Sequence, residues 1–339
     1  MRTRSRSRGR SPARGGKTGA PSNSNGSSAP SNSNGSSAPS KSGNPPPGYQ
    51  LMFALKYYRT QPQISSTVLT SFVWCMCLVG FEHLLRWLFK LNLVQNLSPI
   101  LQNERNTQII ARHIGTDFAA AVMCSYLGLT VKNGGLGPIW ESLKSPRSEK
   151  LYKKARKGYA KRLWTYNAEG FRIFVFFFAY QFKNLWDAYV WNDGPEFIFH
   201  HTVSIITSWH GMYPGLGQIY AVFFMGLSEI STATLVLLAN FDPTLGVDGL
   251  AEAFPLTKII CAVAFVVTFV TCRNVMWPYA GWHYWKDSLE ALANPTDKLA
   301  KANSGILKRT LFVLVSLTFL QFLWLGQIFV MGYQEIQNM

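Results

Sequence analysis

No aspartate or glutamate precedes Glu82, and residues 1–48 contain neither an aromatic side chain nor an apolar run. A secretory signal peptide is therefore not expected, since it needs an apolar segment behind its basic start. The first apolar stretch is expected to act as the membrane-targeting signal. Cysteine is scarce, with five in all (Cys75, Cys77, Cys124, Cys261 and Cys272), and every one lies inside an apolar stretch. That pattern excludes a disulfide framework, and Cys75 and Cys77 would point to different faces of a helix. Histidine is also sparse, at six residues, and none forms an HxxxH pair. Phe197 stands where an HxxHH cluster would need its first histidine. Di-iron oxidation chemistry and fatty-acid elongation depend on such clusters, so no metal site is expected.

What the chain has in quantity is long apolar windows. They fall near 64–85, 110–131, 171–192, 218–240, 257–280 and 309–332, with a shorter one at 197–212. About 20 such residues cross ~30 Å of hydrocarbon. The spacing predicts an all-α, polytopic membrane protein of about seven transmembrane helices. Pro62, Pro138, Pro214, Pro243, Pro255 and Pro295 fall between or at the ends of these windows, as helix boundaries require. Pro278 lies near one end of the sixth and is expected to kink it.

The formal charge of +16 does not point to nucleic acid, because of where it sits. Twelve Lys or Arg occur up to Lys90, and ten more between 132 and 170, whereas the connector at 193–196 is acidic through Asp193 and Glu196. Lys and Arg in short loops mark the cytosolic side. The N-terminus and the 132–170 and 281–308 loops are thus expected in the cytosol, and the C-terminus in the lumen. Asn96-Leu97-Ser98 is a glycosylation sequon in a loop placed in the lumen.

Three regions follow: a disordered, basic, low-complexity tail at 1–48, a first span with its connector at 49–104, and a helical membrane domain at 105–335. The tail repeats Ala-Pro-Ser-Asn-Ser-Asn-Gly-Ser-Ser at 20–28 and 29–37. Its composition cannot sustain a core. It reads as a solvated linker, a basic segment for anionic lipid, a retention signal or a transit peptide. Lys144 to Arg162 reads either as a topogenic charge run or as an amphipathic stretch on acidic headgroups, anchored by Leu151, Tyr152, Tyr159, Leu163 and Trp164.

Ionisable groups are costly in a bilayer and usually face a bundle interior or a watery cavity. Here they recur in five successive windows. Arg112, His113 and Asp117 occupy the second, and Gln181, Lys183, Asn184 and Asp187 the third. His200, His201, Ser204, Ser208 and His210 occupy the fourth, Ser228, Glu229, Ser231 and Thr232 the fifth, and Arg273 and Asn274 the sixth. The spacing predicts that His113 can pair with Asp117, and Lys183 with Asp187, on one helix face. Adjacent histidines point about 100° apart, so His200 and His201 cannot serve as equivalent groups. One of them, with Ser204 one turn on and Asp187 or Glu229 to orient it, has the parts of an acid–base relay or of an acyl acceptor.

The stretch Trp186-Asp187-Ala188-Tyr189-Val190-Trp191-Asn192-Asp193-Gly194-Pro195-Glu196-Phe197-Ile198-Phe199-His200-His201, followed by Ser228-Glu229-Ile230-Ser231-Thr232, resembles the TLC domain shared by TRAM and the ceramide synthases. The resemblance covers roughly 105–335 and implies membrane helices around a lipid-accessible cavity, most often in the endoplasmic reticulum, with a plastid or other internal membrane open. In the ceramide synthase branch it implies acyl transfer from acyl-CoA to a sphingoid-base amine, and His200 and His201 match the essential pair of that branch. Ceramide synthases carry a His-Asp-x-Ser-Asp type stretch in the next segment, where this chain has Leu227-Ser228-Glu229-Ile230-Ser231-Thr232. That form is closer to TLC-domain transmembrane proteins associated with membrane lipid composition.

Three readings result. The first is lipid homeostasis, by binding, sensing or moving a sphingoid base, ceramide or phospholipid in an intramembrane polar cavity. The cavity would be lined by His113, Asp117, Lys183, Ser204, Ser228, Ser231, Thr232, Arg273 and Asn274. The second is an acyl-CoA-dependent N-acyltransferase using His200, His201, Glu229 and Asp187, with no resident cofactor and acyl-CoA as co-substrate. The third is a small-solute transporter or channel, although the spans show no internal repeat.

Overall fold

The computed structural model describes residues 62–131 and 158–337. The tail at 1–48 and most of the 144–162 stretch lie outside them. The described residues are helical, without a strand. Helix α1 is Ile64–Phe89. Helix α2 runs through Glu104–Arg112, a π-helical stretch His113–Phe118 and Ala119–Leu129. Helix α3 is Gly158–Trp164, α4 Ala168–Trp191 and α5 Pro195–Met212. Helix α6 runs through Gln218–Ala221, a π stretch Val222–Leu227 and Glu229–Ala239. Helix α7 joins Pro255–Phe269, a π stretch Val270–Met276 and Trp277–Ala293, and α8 is Ser304–Gln337.

Among the described residues, four helices are long and apolar enough to cross a membrane: Ile64–Phe89, Gln218–Ala239, Pro255–Ala293 and Ser304–Gln334. The other expected crossings are helical but less apolar. Helix α2 carries Arg112 and Asp117, α4 carries Lys183 and Asp187, and α5 has 18 residues with three histidines among them. At 39 residues, α7 is roughly 58 Å long. That exceeds ~30 Å of hydrocarbon.

Helix α1 is amphipathic in the inverted sense. Thr67, Ser71 and Glu82 are buried, while Val68, Leu69, Phe72 and Val73 are exposed. Such a face suits lipid, where helices associate through packing and hydrogen bonds rather than by hiding apolar surface. The seam is polar: the Thr67 and Tyr213 hydroxyls are 2.8 Å apart, and Ser71 Oγ donates to Val175 O at 3.4 Å. The first half of helix α4 is buried nearly all round, through Phe171, Ile173, Phe174, Val175, Phe176 and Phe177. An all-round apolar helix belongs in the middle of a bundle, and α4 packs against α1, α2, α5 and α6.

Helix boundaries follow the sequence closely around the central turn. Asn167 caps α4 by accepting from Gly170 N at 2.7 Å. Asn192 closes the helix at a left-handed φ of 56°, and Pro195 opens α5. Two glycines let backbones meet where helices cross: a Cβ on Gly226 would lie 3.0 Å from Gly128 Cα. At Gly170 a Cβ would stand 2.1 Å from Gln218 O. Gly170→Ala must force α4 away from the start of α6, an overpacking cost of about 3 kcal/mol. A lowered melting temperature of the purified protein should register it.

The α6–α7 connection is held by Asp242, whose Oδ1 accepts from Thr244 N and Leu245 N, both at 2.8 Å, and from Thr244 Oγ1 at 2.7 Å. Burial alone would raise this carboxyl, but the hydrogen bonds outweigh it and hold it below the ordinary value. A carboxyl lowered on folding stabilises above its unfolded value, near 3.9. The contribution is lost as the pH falls through the folded value. Hydrogen exchange at Thr244 and Leu245 should therefore lose protection below about pH 4, and Asp242→Asn should abolish that dependence.

Candidate functional site

Buried polar side chains form three groups inside the bundle. The first joins α1, α2 and α4. Lys183 Nζ is 2.7 Å from Glu82 Oε2 and also pairs with Asp187. Glu82 further accepts from Thr116 Oγ1 at 2.9 Å and pairs with Arg86 at 2.5 Å. Arg112 forms a two-pronged pair with Asp193 and lies 4.0 Å from Asp187. Asp117 is buried on the same π stretch as Thr116. Asp117 is not the partner of His113 despite the four-residue spacing. His113 Nδ1 instead lies 3.1 Å from Asn240 Oδ1, on α6.

The second group joins α6 and α7. Arg273 Nη2 donates to Glu229 Oε1 and Thr232 Oγ1, both at 2.9 Å, and its Nε donates to Ser231 Oγ at 3.0 Å. Its guanidinium sits 5.4 Å from the Trp277 ring centroid. Ser228 Oγ donates to Phe224 O at 2.7 Å, inside its own helix. The π stretches Val222–Leu227 and Val270–Met276 flank or contain these residues. π insertions of this kind are frequent at functional sites.

The third group surrounds the histidine pair. His201 Nδ1 is 2.7 Å from Gln181 Oε1 on α4. His200 turns the other way, with its ring 5.8 Å from Trp324 of α8, while Phe197 stacks on the same indole at 6.2 Å. Nδ1 of His200 is buried without a hydrogen-bond partner among the described residues. Ser204 is buried one turn away and accepts from Ser208 Oγ through its carbonyl at 2.7 Å. The adjacent histidines thus diverge, as helical geometry demands. Glu229 is paired with Arg273 and Asp187 with Lys183, and His201 meets a carboxamide.

An apolar cavity of ≈50 Å³ lies between α4, α5, α6, α7 and α8, lined among others by Phe174, Thr207, Phe224, Trp277, Leu314 and Leu317. It has room for the end of a hydrocarbon chain. Beyond it, toward α3, Arg162 forms two 2.6 Å bonds to Asp287, and Tyr220 donates to the same carboxylate at 2.6 Å. Hydrogen bonding to Asp287 holds the Arg162 guanidinium charged more firmly than usual. Of the anchors expected on the membrane surface, Tyr159, Leu163 and Trp164 are buried in this part of the bundle. Leu151 and Tyr152 lie outside the described residues.

Sequence reasoning passed over Glu82 and Arg86 as parts of the interior, and over Asn240, Asp287, Gln321 and Trp324. The available signal was the one carboxylate in the 64–85 window, Glu82, and a carboxamide mid-way along the 309–332 window, Gln321.

No curated protein and no solved structure shows significant similarity to the chain. A family model does: the TLC domain matches residues 136–330, which takes in α3 to α7 and most of α8 and begins after α2. The match covers more than half of the chain, and the chain belongs to the TLC-domain family.

Proposed function

We propose that this integral membrane protein handles lipid inside its helix bundle, binding, sensing or moving it, rather than turning it over. The observation that carries this reading is the pairing of the interior. The carboxylates expected to drive a histidine relay are bound elsewhere, Glu229 by Arg273 and Asp187 by Lys183. The apolar cavity of ≈50 Å³ has room for the end of a hydrocarbon chain. The sphingoid-base, ceramide and phospholipid classes fit such an interior, and the endoplasmic reticulum fits the family. The departure at Leu227–Thr232 supports a place among TLC proteins outside the ceramide synthases.

In this reading seven helices cross the bilayer, with α3 on the cytosolic side. Polar contacts at the two ends of the helices support this. Arg162–Asp287 and Thr67–Tyr213 lie at one end, and Arg112–Asp193 and Arg105–Asp248 at the other. A sequon engineered into the middle of the 90–104 loop should be glycosylated, and one at 150 should not.

One observation favours the acyltransferase reading: the unpartnered, buried Nδ1 of His200. An imidazole nitrogen so placed could attack a thioester carbonyl, release the thiolate of CoA and pass the acyl group to an amine. Acyl-CoA thioester cleavage in nanodiscs, with a panel of long-chain bases, separates the two readings. Lipid handling predicts no turnover above that of His200→Ala and His201→Ala. Turnover abolished by both substitutions would establish the enzyme.

A further inference from the structure

Helices α7 and α8 run antiparallel in a regular register. Gly281 faces Leu314, where a Cβ would come within 3.4 Å, and four residues earlier Trp277 Nε1 donates to Thr318 Oγ1 at 3.1 Å. Asn274 and Gln321 each lie about one turn beyond that contact, Asn274 on the π stretch Val270–Met276, which also packs against α8. Both side-chain amides have their nitrogen and oxygen buried with no hydrogen-bond partner among the described residues. Gln321 is 1% exposed. Trp324, one turn beyond Gln321, meets His200, whose Nδ1 is likewise without a partner. Five orphaned polar atoms thus lie on α5, α7 and α8, with α8 packed against the other two. Buried polar groups in folded proteins are nearly always satisfied, and in hydrocarbon the need is greater. On the α3 side of this level, Trp277 and Leu317 line the apolar cavity.

Resting on the lipid-handling reading, we propose that the seam between α7 and α8 binds the head of an uncharged amphiphile that both donates and accepts hydrogen bonds. Gln321 and Asn274 are the recognising amides, and the end of the chain enters the cavity on the α3 side. The donor and acceptor inventory selects the head. Two carboxamides present donors and acceptors together, so a phosphate, which only accepts when ionised, would leave both amide oxygens unpaired. The nearby guanidinium of Arg273 is already matched by Glu229. A phosphate would therefore bring uncompensated negative charge into a low-dielectric interior. A hydroxyl or amide head brings none.

The test uses the full chain in nanodiscs with two photoactivatable probes of identical chains, diacylglycerol and phosphatidic acid. Wild type should be labelled by diacylglycerol within 195–212 or 304–337, and only weakly by phosphatidic acid. Gln321→Leu and Asn274→Leu should each cut diacylglycerol labelling about tenfold, the worth of one lost hydrogen bond to a buried group. Their melting temperatures should hold or rise, because an unsatisfied amide has gone. If Gln321→Leu does not fold, Gln321→Met takes its place. Diacylglycerol labelling unchanged in both variants means that water alone satisfies the amides, and overturns the proposal. So does equal labelling of wild type by phosphatidic acid. Labelling of wild type by neither probe would also sink the lipid-handling reading beneath it.

Discussion

Arg273→Met should destabilise the protein by about 3–4 kcal/mol. Arg273 is the ion-pair partner of Glu229 among the described residues, and its Nε and Nη2 also bond Ser231 and Thr232. Polar contacts between membrane helices average only about 0.6 kcal/mol when measured as pair couplings. The larger figure comes from the stranded carboxylate, which must be buried as a lone charge or neutralised. Adding Glu229→Gln should therefore recover most of the loss, since a neutral amide can still bond Ser231 or Thr232. Thermal unfolding of the single and double variants in one detergent measures this. A single variant as stable as wild type would show that the pair is solvated.

Lys183→Met should come close behind, at about 3 kcal/mol. The ammonium lies between Glu82 of α1 and Asp187 of its own helix. Each carboxylate keeps some company, since Arg86 lies 2.5 Å from Glu82 and Arg112 lies 4.0 Å from Asp187. That residual pairing is why the cost falls below that of two isolated buried charges. The consequence is also positional. Helix α1 is otherwise exposed on most of its surface and is joined to α4 chiefly along the polar stripe that ends at Glu82. Cleavage between α1 and α2 by an added protease should accelerate in Lys183→Met, and Glu82→Gln in the same chain should slow it again.

The helices themselves were legible because apolar windows near 20 residues have few other uses. The turn between α4 and α5 was legible too, from Asp193, Gly194 and Pro195. Lys183 and Asp187 paired as a four-residue spacing predicts, since α4 is regular there. His113 and Asp117 have the same spacing, but His113 meets Asn240 of α6 instead. The three π stretches all lie beside buried charge. Where each charge goes is thus decided by helix–helix packing rather than by the chain's own period. Pro278, where a kink was expected, stands in the first turn of Trp277–Ala293, just after the π stretch Val270–Met276, a position at which a missing N–H costs little. Partners were the least legible feature. His201 meets Gln181 rather than a carboxylate, because Arg273 and Lys183 had already claimed the carboxylates. The neighbour that claims a group lies on another helix, beyond what spacing along one chain can reveal. Surface position was equally hidden for Tyr159, Leu163 and Trp164. Their aromatic and aliphatic character suits a membrane surface and a protein core alike.

The central claim, a lipid held in the bundle independently of a histidine relay, is tested most directly by native mass spectrometry of lipid retained on the purified protein. Wild type would be compared with Val313→Phe, which fills the cavity wall, and with His201→Asn. The account predicts bound lipid on wild type and on His201→Asn, and its loss from Val313→Phe. Lipid retained equally by Val313→Phe, or none on wild type, would contradict it.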